Sequence, residues 1–139
     1  MKSSSKPEAL NIQPGGGQMP VAGRFIFYWF PLVSLCAAII WQSSFPSIQN
    51  EPLFPHQDKL LHLMAYGLMA VLAARALTCE RPGMGKFKIC LLAMGFTILF
   101  GLSDEIHQAF VPERFADIWD WIADVIGSGI GAWIYLKRR

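Results

Sequence analysis

A long apolar run that ends in acids and a histidine constrains this chain more than any other feature. The segment is FKICLLAMGFTILFGLSDEIHQ, residues 87–108. A helix needs about 20 mostly apolar residues to cross a bilayer, and this run approaches that length. The 139-residue chain is 53% hydrophobic and 16% charged, whereas a soluble domain carries about 25% charged residues. The sequence therefore predicts a single-domain protein whose partner is the lipid bilayer, and not a nucleic acid.

Four segments are predicted to span the membrane as helices. They cover residues 25–41, 60–77, 87 to about 110, and 118–136. Pro31 should bend the first span mildly, which lipid-embedded helices tolerate. Val111-Pro112 should end the third span, because proline disfavours helix in the residue before it, and DEIHQ then forms the last turns of that helix. The predicted fold class is all-α, a polytopic membrane protein built as a bundle of four transmembrane helices.

The basic residues are distributed unevenly between the two predicted sides of the membrane. The polar segment 1–23 with its PGGG run, the loop 78–88, the C-terminus and the adjoining helix ends hold ten of the twelve Lys and Arg residues. Only Lys59 and Arg114 lie on the opposite side. Cytoplasmic loops carry the excess of basic residues. The sequence thus predicts residues 1–23 as a flexible cytoplasmic tail, residues 24–139 as the membrane domain, and both termini in the cytoplasm.

Each of the last three predicted spans carries polar side chains at the end that the charge distribution places outside the cell. Residues three or four apart share one face of a helix. The members are Asp58, His62 and Tyr66 on the second span, Asp104, His107 and Gln108 on the third, and Asp117, Asp120 and Asp124 on the fourth. Three polar faces at one level predict a shared pocket, open to the periplasmic or extracellular side of the cell (inner) membrane.

Asp124 lies deeper in its span than the other acids of the fourth segment. It is roughly 9 Å below Ile118 at the helical rise of about 1.5 Å per residue. An acid at that depth costs about 2.5–3.5 kcal/mol to insert, so it should face a polar partner rather than lipid. We expect that partner to be His62, His107, Tyr66 or Arg114.

Purely structural roles are alternatives for several of these residues. Asp58 and Asp117 could cap helices, because aspartate is a preferred cap. Asp104 and Glu105 could be solvated acids at the membrane surface. Gly127 and Gly131 form a GxxxG motif, and small residues let membrane helices approach closely. We therefore predict helix packing, rather than chemistry, for the two glycines.

The ordered motifs resemble those of the VanZ-like family of small bacterial membrane proteins. DKLLHLMAYGLMA and SDEIHQAFVPERFADIWDWIADVIGSGIGA carry most of the resemblance, and WQSSFPSIQ looks like the family's segment after the first span. The resemblance covers roughly residues 40–135. One departure is Asp124, where the family more often has Asn. The matching positions are Asp58, Lys59, His62, Tyr66, Asp104, Glu105, His107, Gln108, Arg114, Asp120, Asp124, Gly127 and Gly131.

The resemblance implies a place in the cell envelope and a link to resistance against the glycopeptide teicoplanin, without implying a reaction. The first hypothesis is a pocket that binds a lipid-linked cell-wall intermediate or the lipid tail of the antibiotic. The second is a membrane-embedded enzyme that uses a metal or acid/base pairs, with a lipid phosphate held by Lys59 and Arg114. The third is a proton or ion relay. The sequence predicts no cofactor, and a divalent metal enters only with the second hypothesis.

The candidate residues differ between these hypotheses. The predicted ligand-binding set is Asp58, Lys59, His62, Tyr66, Asp104, Glu105, His107, Gln108, Arg114, Asp120 and Asp124. The catalytic candidates are His62, Asp104, Glu105, His107, Asp120 and Asp124. The metal candidates are His62, His107, Asp104 and Asp124. Because the two histidines lie on different spans, only the fold can bring them together, and we expect them to act jointly.

We predict that a reporter fused after Arg139 or inserted in the 78–88 loop shows a cytoplasmic location, and that one inserted near Gln49 shows an external location. The physical reason is that loops rich in Lys and Arg stay in the cytoplasm. Paired fusions to a reporter active only outside the cytoplasm and one active only inside it give the readout. An external C-terminus would contradict the four-span topology and the outward-facing pocket together.

Overall fold

The computed structural model describes residues 20–46 and 54–138. Residues 1–19 of the predicted tail lie outside the described residues. The end of the predicted tail, from Val21 onward, is part of helix α1. The described residues contain no strand, so the predicted all-α class is confirmed for them. The elements are α1 (Val21–Arg24), a π-helical segment (Phe25–Trp29), α2 (Phe30–Ser43), α3 (Gln57–Glu80), α4 (Lys86–Gln108) and α5 (Ile118–Arg138).

Three helical stretches are long and apolar enough to cross a membrane. They are Ala22–Ser43, Gln57–Glu80 and Lys86–Gln108, and they correspond to the first three predicted spans. The fourth predicted span forms one continuous helix, α5, but it is not among the three. Acids and glycines in its sequence lower its hydropathy, so a fourth crossing stays a prediction.

Pro31 changes the winding of the first helical stretch rather than only bending it. Because proline has no backbone N–H, it cannot bond to the carbonyl of Phe27, four residues earlier. The preceding segment is wound as a π-helix, in which the N–H of Phe30 donates to the carbonyl of Phe25. π-Helical turns are usually single insertions of this kind. The guanidinium of Arg75 lies 4.4 Å from the ring centroid of Phe27 and holds the widened turn against α3.

The DEIHQ motif forms the last turns of α4, as the sequence predicts, and the helix ends at Gln108. The chain then tightens, with the N–H of Phe110 donating to the carbonyl of His107 and that of Val111 to the carbonyl of Gln108, both at 3.0 Å. Pro112 follows directly. Helix α4 therefore ends two residues before the predicted boundary, because these three-residue hydrogen bonds replace the four-residue hydrogen bonds of an α-helix.

The two predicted aspartate caps have different outcomes. Asp117 precedes α5, and its Oδ1 accepts the N–H of Trp119 at 2.9 Å, which is the geometry of a side-chain cap. Asp58 does not cap α3, so that alternative is wrong. The cap position is His56, which has a left-handed backbone with φ of 62° and makes no side-chain cap bond.

Helix α5 packs mainly against α3, and glycines make the close approach of the two backbones possible. A Cβ built on Gly127 would collide with the carbonyl oxygen of Leu63, and one built on Gly131 would collide with that of Gly67. Helix α4 closes the third side of the group, and α2 makes few contacts with α3 and α4. The two GxxxG glycines therefore lie where the packing interpretation requires.

The glycine contacts predict opposite effects on stability for alanine substitutions at Gly131 and Gly129, two positions on the same helix. Gly131→Ala should destabilise the protein by about 1–3 kcal/mol, because the added methyl meets backbone that cannot rotate away. Gly129→Ala is the matched control: its Cβ meets nothing nearer than the Met94 methyl at 3.7 Å, and alanine favours helix by up to about 1 kcal/mol. Thermal unfolding in one detergent measures both. Equal stability of the two variants would contradict the crossing geometry.

Candidate functional site

A histidine–aspartate pair lies where α3, α4 and α5 meet. The Nδ1 of His62 is 3.0 Å from Oδ1 of Asp124, which is completely buried. The other carboxylate oxygen, Oδ2, has no hydrogen-bond partner. It fits beside Gly101 of α4, where a Cβ would lie only 2.6 Å from it. The ring of Tyr66 is parallel to that of His62, with centroids 6.0 Å apart. Of the expected partners of Asp124, the structure selects His62.

Helix α4 adds two buried acids from the DEIHQ motif. Asp104 is 5% exposed and Glu105 6% exposed, so the solvated interpretation is wrong for both acids. Oδ2 of Asp104 accepts from the Gln108 amide at 3.0 Å, and Oε2 of Glu105 accepts from the backbone N–H of Asp117 at 2.9 Å. The second oxygen of each carboxylate is buried and has no partner. Buried polar atoms are nearly always paired, so each of these oxygens has the capacity for a further hydrogen-bond donor or a cation.

Lys59 neutralises a second group of acids at the same end of the helices. Its ammonium lies 2.8 Å from Asp117, 2.9 Å from Asp58 and 3.0 Å from Asp120. The hydrogen bond from this ammonium, with a further one from the N–H of Trp119, holds the pKa of Asp117 below its ordinary value. The three carboxylates surround the Lys59 ammonium, which leaves that ammonium little capacity for an additional anion.

Arg114 joins the end of α2 to the end of α4. Its Nε and Nη2 donate to the carbonyl oxygens of Phe45 and Gln42 at 2.9 and 3.1 Å. Its Nη1 donates to Oε1 of Gln108 at 3.1 Å. The guanidinium therefore links the two helix ends. It does not pair with Asp124, whose partner is His62.

His107 points away from the other predicted site residues. Its side chain is exposed, and its Nε2 lies 3.1 Å from Oγ of Ser44. It does not line the cavity described below, whereas His62 does. Residue 107 is three positions from Asp104 and one from Gln108, so a small helical rotation separates it from their shared face. The structure thus gives no support to joint action of the two histidines.

One cavity of about 700 Å³ opens beside His62. Seven members of the predicted ligand-binding set line it: Asp58, His62, Tyr66, Asp104, Gln108, Arg114 and Asp120. Lys59, Glu105, His107 and Asp124 do not line it; Asp124 and Lys59 contact residues that do. The other lining residues are Ile39, Gln42, Leu61, Ala65, Glu113, Phe115 and Asp117, of which only Asp117 belongs to a predicted polar face. They come largely from α2, from a loop, and from apolar positions that carry no signal of chemistry.

The metal-competent cluster differs from the predicted one. One potential ligand atom from each of His62, Glu105 and Asp120 lies within 4.8 Å of the other two. Of the four metal candidates predicted from sequence, only His62 belongs to this cluster. Asp124 is instead the hydrogen-bond partner of His62. Asp120 belongs to the predicted ligand-binding set but not to the predicted metal set, and the packing of α5 against α3 and α4 brings it into this cluster.

We predict that Asp124→Asn is tolerated, because its amide oxygen can still accept from Nδ1 of His62. Asp124→Leu should insert into the membrane but lose function, since it leaves a buried polar partner unpaired at a cost of about 1–3 kcal/mol. The measurements are the thermal stability of the purified variants and their function in cells. Full stability and activity of the Leu variant would show that Asp124 is dispensable.

The comparison with protein families agrees with the geometry. Residues 24–138 match the model of the VanZ/LLP1 family, a range that covers the whole cavity and every helix except the first three residues of α1. No curated protein and no solved structure matches the chain. Together with the three membrane-capable helices, the family match indicates a multi-pass membrane protein. The chain belongs to the VanZ/LLP1 family.

Proposed function

We propose that this VanZ-like protein spans the cell membrane four times, with both termini in the cytoplasm and the cavity at the outer surface. The uneven distribution of Lys and Arg supports this orientation. Helix α5 can serve as the fourth span because its deeper acid, Asp124, is buried against α3 and α4. The carboxyl group of Asp124, which lowers the hydropathy of α5, is therefore not in contact with lipid.

We further propose that the cavity binds an amphiphilic ligand of the cell envelope, such as a lipid-linked cell-wall intermediate or a teicoplanin-type glycopeptide. The observation that carries this proposal is the mixed lining of a single cavity. The lining combines polar side chains, among them Asp104, His62 and Asp120 and here called the polar wall, with apolar ones, among them Ile39 and Ala65 and here called the apolar wall. A ligand with a polar head and an apolar chain satisfies both walls. Such binding would connect the protein to glycopeptide resistance or envelope stress.

A membrane-embedded enzyme is the second candidate, and the His62–Asp124 pair favours it. Histidine oriented by a buried carboxylate is a common acid/base arrangement, and the paired Nδ1 leaves Nε2 available. The version in which Lys59 and Arg114 hold a lipid phosphate is less well supported. Lys59 already contacts three carboxylates, and Arg114 already donates to Gln42, Phe45 and Gln108.

An ion relay is the third candidate and has the weakest support. A relay needs ionisable groups along the whole path through the membrane. Within the described residues, the buried acids Asp104, Glu105 and Asp124 lie in the half of the helices next to the cavity. At the opposite end of α3, Glu80 pairs with Arg24 at 3.2 Å and does not continue a path.

Filling the apolar wall tests ligand binding. Ala65 lines the cavity, whereas its neighbour Met64 does not and is 60% exposed. We expect Ala65→Phe to weaken binding at least about tenfold, because the ring occupies the space for the chain and about 1.4 kcal/mol corresponds to that factor. Met64→Phe is the matched control and should bind as the unmodified protein does.

The measurement is titration of the purified protein in lipid nanodiscs with two probes, a polyprenyl-diphosphate-linked disaccharide and teicoplanin. Binding of at least one probe, lost in Ala65→Phe and kept in Met64→Phe, would support the proposal. If neither probe binds, or if Ala65→Phe binds as well as the control, the cavity is not the binding site for this class of ligand.

A further inference from the structure

We infer that His62, Glu105 and Asp120 hold a divalent metal ion beside the cavity, which His62 and Asp120 line and Glu105 does not. The three residues come from α3, α4 and α5, and one potential ligand atom from each lies within 4.8 Å of the other two. Ligand atoms bound to one Zn²⁺ at about 2.0–2.2 Å are separated by roughly 3–4 Å. Small side-chain rotations therefore bring this set within coordination distance.

The state of Glu105 is an independent observation that points to a ligand. Its side chain is 94% buried, and Oε2 accepts from the N–H of Asp117, whereas Oε1 has no hydrogen-bond partner. A buried carboxylate oxygen without a donor is unfavourable. A metal ion beside Glu105 supplies the missing positive charge, and the bond to Asp117 fixes the direction of the carboxylate.

His62 is oriented as a metal-binding histidine is. Its Nδ1 is engaged with Oδ1 of Asp124 at 3.0 Å, which leaves Nε2 for an ion. Ligating histidines usually donate their other N–H to a carboxylate or carbonyl, and this contact fixes the tautomer. Asp124 would then be the residue that positions His62, with the ion on the other side of the ring.

The neighbouring acidic group is already occupied by a side chain. Asp58, Asp117 and Asp120 also lie close enough to hold an ion, but the ammonium of Lys59 contacts all three. Lys59 uses Oδ1 of Asp120 and leaves Oδ2 for the set that contains His62. The ion is therefore assigned to the set that combines nitrogen and oxygen ligands, in which Lys59 contacts only Asp120.

The ligand types indicate the class of ion and its role. One imidazole and two carboxylates suit Zn²⁺ or Mn²⁺ better than Ca²⁺ or Cu⁺. With only three protein ligands, a coordination position stays open, as at catalytic metal sites. The ion would attract an anionic group, such as a phosphate, to a wall that otherwise repels it. This last step rests on the proposed function, because it concerns the head group of the amphiphile.

The test is calorimetric titration of purified, chelator-treated protein with Zn²⁺ and, separately, Mn²⁺. We expect one equivalent to bind, and Glu105→Gln to weaken its binding at least about tenfold, as loss of a metal-site partner does. Glu113→Gln is the matched control, since Glu113 lines the cavity but is outside the ligand set. For Mn²⁺, electron spin-echo spectroscopy should detect a coupled imidazole nitrogen that is lost in His62→Gln.

Absence of metal binding by the unmodified protein would overturn the inference, and so would binding that both Glu105→Gln and His62→Gln leave unchanged. If Glu105→Gln fails to fold, the nitrogen coupling in the unmodified protein and in His62→Gln decides alone. If the protein takes up no metal ion but still binds a probe, the metal site is overturned and the proposed cavity function stays intact. Ion binding without probe binding would support the metal site and reject the ligand proposal.

Discussion

The hydrogen bond between His62 and Asp124 is the contact on which the rest of the structure depends. It joins α3 to α5 at a point where Asp124 is completely buried, and an unpaired acid there would be costly in lipid. The bond can form only because Gly127 and Gly131 let the two backbones approach closely, and because Gly101 leaves room on α4. Packing and polar pairing are therefore two parts of one arrangement.

The wall of the cavity formed by α2 is held in a different way. This helix contributes a single buried apolar residue, Leu32, to the described core. Its end is fixed by polar contacts, with Arg114 bound to the carbonyls of Gln42 and Phe45 and His107 beside Ser44. The cavity thus has one wall secured by close helix packing and another secured by hydrogen bonds at a helix end.

Periodicity predicted the helices and the shared polar faces, because apolar length and three- to four-residue spacing are properties of each helix alone. Pairing of Asp124 with a polar partner followed from the cost of a charge in lipid. The spacing within one helix does not encode the register between helices, and for this reason the burial of Glu105 and the position of His107 outside the cavity differ from what periodicity predicts. Residues such as Ala65 and Gly101 act through shape, and a single sequence carries no mark of that role.

The proposed function requires an outward-open polar cavity that enters the membrane-spanning part of α3. Its most direct test is labelling of intact cells with a membrane-impermeant thiol reagent, after Cys36, Cys79 and Cys90 are replaced by Ala. Ala65→Cys, which faces the cavity, should react from outside, whereas the adjacent Met64→Cys, which faces away from it, should not. Equal labelling of both positions, or labelling of Ala65→Cys only after the membrane is broken, would contradict the account.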